Sequence, residues 1–257
     1  MSAALWSPLI EELDHWHAAG RQLRLWLRDD DAVGPSAALD RLATCAERFH
    51  VPVLLAVIPM LAETALAGSL RDSPALLPCQ HGCWHRNHAP AGAKKSEFGP
   101  DRAPEAVDTE IVKASLRLRD VLGEAILPVF VPPWNRIDPG HAARLPELGF
   151  TALSCFRDHR NGPDGGPQLL NTHIDVMDWH GGRIGRNPAG LIAEIVDLLM
   201  EWRGRPQGPD TLGLLLHHRD HDETAWAFLS DLLALADSHS AVALADPRSL
   251  IGRGGTA

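Results

Sequence analysis

Leu23-Arg24-Leu25-Trp26-Leu27-Arg28-Asp29-Asp30-Asp31-Ala32-Val33-Gly34-Pro35 carries a short apolar run over 23–27 into three consecutive carboxylates and then a turn. Three like charges held side by side repel. The arrangement lowers its energy by binding a cation or by protonating one carboxyl at a raised pKa. A strand that stops on such a cluster is therefore expected to stop at a site, and cation ligands should appear elsewhere. The segment His81-Gly82-Cys83-Trp84-His85-Arg86-Asn87-His88 supplies two imidazoles four positions apart. Residues 214–222 supply His217, His218 and His221 after another apolar run. One carboxylate with two histidines is a common divalent-metal set that leaves positions open for water and substrate. The plainer reading of Asp29, Asp30 and Asp31 is helix capping near Ser36, since acids are favoured at helix N-termini.

The 257 residues suit one α/β barrel domain, with a core over about 20–247, an N-terminal helix over 1–19 and a flexible tail over 248–257. Lys plus Arg is 24 against 33 Asp plus Glu, a net charge of −9 that argues against nucleic acid, anionic membrane or a polyanionic substrate. No run approaches the ~18 apolar residues of a membrane span, and residues 1–12 lack the order of a signal peptide. A cytoplasmic protein is expected. Cys45, Cys79, Cys83 and Cys155 are too few and scattered for a disulfide framework, so reduced thiols are expected.

Apolar runs bounded by turn signals predict strands at 23–27, 51–58, 75–79, 127–131, 152–155, 169–176, 212–216 and 241–244. Helical spacing predicts helices over 36–50, 188–202 and 223–236. Alternation of strand and helix predicts parallel strands, and seven or eight such units fit a distorted (β/α)7-8 barrel. A doubly wound open sheet is the alternative that periodicity leaves standing. Residues 91–108 break the rhythm with glycine, proline and mixed charge; they read as a loop over the site mouth or as a plain surface insertion. Residues 162–167 form a second turn-rich loop.

Position along the strands carries more weight than any residue singly. Asp29, Asp30 and Asp31 follow the first strand, and His81 and His85 the third. Pro132-Pro133-Trp134-Asn135 follows the fourth, Asp175 and Asp178 the sixth, and His217-His218 the seventh. In a parallel barrel those C-terminal ends converge on one face, where active sites are assembled from distant residues.

This arrangement resembles the metal-dependent polysaccharide deacetylases with a NodB-type homology domain, carbohydrate esterase family 4. That family has five motifs in fixed order. Asp30-Asp31 looks like its Asp pair, general base then metal ligand, with Asp29-Asp30 as the alternative register. His81 and His85 have the spacing of its two histidine ligands, and Pro132-Pro133-Trp134 is similar to its Pro-Pro-aromatic turn. Asp175-Val176-Met177-Asp178-Trp179 resembles its Asp-x-x-Asp-Trp, and Leu214-Leu215-Leu216-His217 its apolar strand ending in histidine. The resemblance covers residues 23–218. Two positions depart from it: Val131 stands where the family has an Arg that pairs with the catalytic Asp, and Ala32 where it has a Gly. Arg28 or Arg136 would have to substitute for the missing Arg.

The resemblance implies a metal-dependent N-deacetylase. Asp31, His81 and His85 would hold a divalent metal, zinc being the ion this ligand set favours, and lower the pKa of a water toward neutrality. Asp30 would take the proton, and the Trp134 backbone N–H would help stabilise the oxyanion. His217 would protonate the leaving amine, oriented by Asp178. Pro133, Asn135, Asp175 and Trp179 would contact a glycan or small-molecule substrate.

His88, His218 and His221 read as residues behind the site or facing solvent. Trp134 and Trp179 suit either core packing or stacking on a sugar ring. Cys79, His81, Cys83 and His85 fall at alternate positions and invite a structural zinc site, but in an extended strand they would span about 20 Å. Two rivals apply to the whole protein: a catalytically silent carbohydrate-binding barrel and a metal-dependent phosphoesterase.

Overall fold

Strand β1 (Leu23–Ala32) is buried almost throughout, as a parallel strand covered on both faces is. Leu23, Leu25 and Leu27 join the apolar layer shared with the helices. Trp26 enters a second cluster with Leu54, Ala56, Cys79, Val129 and Val131, and Arg28 and Asp30 share its face because side chains alternate along a strand. This computed structural model describes residues 3–252.

Parallel pairing extends from β1 in both directions. On one side lie β2 (Val53–Val57), β3 (Leu76–His81), β4 (Val129–Val131), β5 (Ala152–Leu153) and β6 (Gln168–Leu169). On the other lie β10 (Thr211–Leu216) and then β7 (Ile174–Asp175), while β11 (Val242–Leu244) pairs the start of β1. A short antiparallel hairpin, β8 (Met177–Asp178) and β9 (Ile184–Gly185), projects after β7. Trp26 faces Gly213 of β10, where a Cβ would lie 2.7 Å from the indole; only glycine leaves room for the ring.

The helices are α1 (Ala3–Ala18), α2 (Ala37–Arg48), α3 (Leu66–Asp72), α4 (Pro104–Leu122), α5 (Pro139–Arg144), α6 (Pro188–Arg203), α7 (Glu223–Ser238) and α8 (Pro247–Leu250). The expected helices 36–50, 188–202 and 223–236 are α2, α6 and α7. Each begins at a side-chain cap: Ser36 accepts from the Leu39 N–H, Asn187 from Ala189 and Asp222 from Ala225. Each buries one apolar stripe, Leu39, Leu42, Ala43 and Ala46 in α2. Helix α1 packs on α6, with Trp16 Nε1 donating to the Leu199 carbonyl. No helix among the described residues is long and apolar enough to cross a membrane.

Three expectations need correction. The single strand at 169–176 is two short ones, because its ends pair with opposite edges of the sheet. Gln168 and Leu169 pair with β5, and Ile174 and Asp175 with β10. One extended segment therefore bridges the curled sheet, and a cleft of about 360 Å³ lined by Arg24, Trp26, Gln168 and Thr211 remains where the edges splay. Residues 91–108 are not one loop, since α4 begins at Pro104, and Glu97 and Phe98 are wholly buried. A lid over the mouth would not bury its middle. The tail is ordered as far as α8, with Leu250 buried; residues 253–257 lie outside the described residues.

His173 sits where the bridging segment changes partner. Its Nδ1 accepts from the Gly213 N–H at 3.0 Å, and burial pushes its pKa down to about 4, against a smaller upward pull from Asp158. A histidine depressed in the folded state is matched by an unfolded value near 6.5, so the unfolded chain binds the extra proton between those values. The neutral ring's contribution is complete above about pH 6.5 and is lost as pH falls toward 4, up to roughly 3 kcal/mol. Urea titrations at pH 7 and pH 4 should therefore show a smaller loss in His173→Asn than in the wild type. Equal losses would remove His173 as a source of acid lability.

Candidate active site

The three carboxylates at the end of β1 face three different partners. Asp29, fully buried, accepts from the His218 backbone N–H at 2.8 Å and meets His218 Nδ1 at 2.5 Å. Asp30 turns inward and pairs with Arg28. Asp31 follows a register shift between β1 and β2 and adopts φ 70°, which aims its carboxylate at His81 and His85. An irregularity of this kind at a strand end re-aims a side chain that regular alternation would bury. None of the three carboxylates caps α2, whose cap is Ser36.

His81 Nε2 lies 3.1 Å and His85 Nε2 3.3 Å from Asp31 Oδ1. His81 Nδ1 faces the Val131 carbonyl at 3.0 Å, so its Nε2 is the nitrogen presented to the cluster. Donors about 2.0–2.1 Å from one tetrahedral cation lie about 3.3 Å apart, which the two Asp31–histidine separations match, and all three donors lie within 4.8 Å of one another. Burial opposes charge on Asp31, yet the His81 hydrogen bond and the His81, His85 and His217 charges hold its carboxyl well below the usual range. Burial likewise opposes charge on His81, but Asp30 and Asp31 outweigh it and raise its pKa. His85 is lowered, by burial and then by His81.

These residues form the one cluster among the described residues in which three metal-ligating groups converge. Cys79 and Cys83 do not join it, because they are buried in separate apolar clusters. The four-ligand structural zinc reading therefore fails on geometry.

Of the two candidate arginines, Arg28 is the one that reaches Asp30. Its Nε donates to Asp30 Oδ1 at 2.9 Å and its Nη2 to Oδ2 at 3.0 Å, with neither side chain more than 4% exposed. Nη1 donates to the Ser154 carbonyl and hydroxyl and the Cys155 carbonyl, and Nη2 also reaches Asn135 Oδ1 at 2.5 Å. Arg136 points elsewhere, to the Lys95 carbonyl.

His217, 8% exposed, packs edge-on against Trp179 with centroids 4.5 Å apart. Its charge acts on Asp31 and on Asp175. Asp175 Oδ1 accepts from the Met177 N–H and Oδ2 from Trp179 Nε1, while burial pushes its pKa up against the pull of His217. Asp178, expected to orient His217, instead accepts from the Gly181 and His180 N–H groups at the tip of the β8–β9 hairpin. Asp175 is thus the nearer carboxylate electrostatically, but it makes no hydrogen bond to His217, whose buried Nδ1 has no partner among the described residues. An Asp two residues ahead of a tight turn is captured by the turn's own N–H groups.

Trp134 sits at φ 56° in the turn after β4, with its ring 4.4 Å from that of His85 and Lys95 Nζ 5.9 Å above its face. Trp179 and Trp134 are both half-buried, one beside His217 and the other beside His85. Neither is a fully enclosed core aromatic. Pro133 is buried against Gly82, and half-buried Asn135 accepts a hydrogen bond from Arg28.

Two residues absent from the expected set also touch the site. Arg219 donates to the Asp31 carbonyl at 3.1 Å, and Glu97 binds the turn that carries His85. Neither contact leaves a sequence signal, because each spans a fold-dependent distance. His218 is the buried partner of Asp29 rather than a solvent-facing residue.

No protein-family model and no curated protein matches the chain. Solved structures do. A Mycobacterium smegmatis protein described as a polysaccharide deacetylase superposes with TM-score 0.62 at 19% identity, over 84% of this chain and 76% of that one. The family 4 carbohydrate esterase of Streptomyces lividans gives 0.55 at 13% identity, over 86% and 90%. A family 4 pseudoenzyme variant gives 0.58 at 12% identity, over 89% and 67%. The chain has the distorted (β/α) barrel fold of the polysaccharide deacetylases, as the resemblance implied.

Proposed function

We propose that this chain is a divergent member of the family 4 deacetylases, a metal-dependent hydrolase that removes an acetyl group from an N-acetylated sugar or related amide. One observation carries the reading: Asp31, His81 and His85 converge at one end of the barrel, with Arg28-anchored Asp30 next to Asp31 in the chain and His217 close enough to act on Asp31. When bound by these three residues, a divalent cation such as zinc supplies Lewis acidity, lowering the pKa of a water and polarising the acetamide carbonyl.

The chain's own groups do the rest. Asp30, fixed in direction by two guanidinium N–H bonds, receives the proton of the attacking water. The Trp134 N–H assists the developing oxyanion, a contribution of about 3 kcal/mol for such a donor in other hydrolases. His217 gives a proton to the departing nitrogen, with the Asp175 carboxylate close enough to feel its charge. Trp134 and Trp179 offer indole faces on which a sugar ring can stack.

The test is acetate release from N-acetylated sugars and short glycans, run beside a phosphate-release assay. Acetate release should vanish on chelation and return with zinc or another divalent ion. Phosphate release instead would favour a phosphoesterase. Binding of the sugars with no release would favour a silent barrel.

A further inference from the structure

We propose that Glu97 is a positioning residue for the metal ligands, acting through the turn that carries them; the inference rests on the metal-binding reading above. Glu97 lies in the segment between β3 and α4 and is 0% exposed. No arginine or lysine meets its carboxylate among the described residues. Its partners are backbone N–H groups, Cys83 at 3.1 Å, Trp84 at 2.8 Å and Arg86 at 3.4 Å. A buried carboxylate is costly unless strong donors surround it, and consecutive N–H groups in a tight turn form such a cradle. The turn is one that a chain adopts reluctantly, with Gly82 at φ 53° and His85 at φ 56°. His85 is a non-glycine residue held in the left-handed region, a conformation that persists where surrounding bonds impose it.

The same contact ties two site segments together. A Cβ on Gly82 would lie 2.3 Å from Glu97 Oε2 and 2.5 Å from Pro133 Cδ, so the turn, the carboxylate and the Pro132-Pro133-Trp134 segment are packed with no slack. Glu97 itself is held from outside, since Arg102 donates to its carbonyl and Phe98 pairs with Ile137. The segment that reads in sequence as a loop over the mouth or as a surface insertion is thus a brace. It fixes where the His85 imidazole stands relative to His81, which the strand and the Val131 carbonyl already fix.

The experiment compares wild type, Glu97→Gln, Glu97→Asp and Glu110→Gln. Glutamine keeps the shape but turns an amide N–H₂ toward N–H donors. Aspartate keeps the charge but falls short of them. Glu110→Gln, at the Arg102 contact, removes one nearby negative charge without touching the turn. Zinc affinity is read by chelator competition, and amide exchange at Cys83, Trp84 and Arg86 in the metal-free protein.

Expected are a roughly 10–100-fold loss of zinc affinity in Glu97→Gln, a smaller loss in Glu97→Asp, and no change in Glu110→Gln. The three amides, slow in the metal-free wild type, should exchange faster in both Glu97 variants. Wild-type zinc affinity in a folded Glu97→Gln would overturn the inference while leaving the deacetylase reading intact, as would an equal loss in Glu110→Gln. Should neither Glu97 variant fold, the wild-type amides decide: rapid exchange in the metal-free protein overturns the brace, and slow exchange supports it. A wild type that binds no metal overturns both readings together.

Discussion

Asp30→Asn is expected to lower acetate release by about 10²–10⁴-fold, the range that a positioned proton acceptor contributes. Zinc affinity should remain within a few-fold of wild type. The two effects separate because Asp30 faces Arg28 while Asp31, His81 and His85 form the candidate cation cluster. The substitution keeps volume and one acceptor oxygen but turns an N–H₂ group toward a guanidinium that is itself a donor, so some stability is lost as well. Measuring kcat and zinc affinity on the same folded preparation distinguishes a lost proton acceptor from a lost metal. A variant that retains kcat within threefold would remove Asp30 from the chemistry. Loss of zinc in parallel with activity would instead make Asp30 a ligand.

Much of this geometry follows from patterns that a sequence displays. The run into Asp29 predicts the first strand, the Ser36 and Pro188 signals predict two helix starts, and placement of polar residues after apolar runs predicts one shared face. The pairing of Arg28 with Asp30 was also within reach: two residues apart in a strand, they share a face with Trp26, and the face is interior. Its contacts with Ser154 and Cys155 were not, because 126 and 127 residues of chain separate the partners. Asp175 and Asp178 stand symmetrically about a hydrophobic pair, and only the hairpin turn decides that Asp178 is captured by backbone N–H groups while Asp175 binds Trp179. Helix α4 escaped because its one start signal, Pro104, lies among other glycines, prolines and charges and has no side-chain cap beside it. Glu97 escaped for a related reason: its partners are backbone groups, which every residue possesses.

Arg28→Met should destabilise the fold by about 3–5 kcal/mol, the cost of leaving one member of a buried ion pair without its partner. Asp30 is only 3% exposed, so water cannot readily replace the two lost donors, and the Ser154 carbonyl loses its donor at the same time, while the Cys155 carbonyl keeps Thr172. Arg28→Lys should recover little of this. A single ammonium cannot donate side by side to both Asp30 oxygens while also reaching Ser154 and Asn135, as the guanidinium does. Arg136→Ala provides the contrast, since that side chain donates to the Lys95 carbonyl and should leave stability nearly unchanged. The double variant Arg28→Met/Asp30→Asn should be more stable than the sum of the single losses predicts, because it removes both charges together and leaves no ion unpaired. Urea denaturation of the four proteins gives the cycle directly. Additive losses would mean that Arg28 and Asp30 are not coupled, and the proposed anchor for the proton acceptor would fall with the coupling.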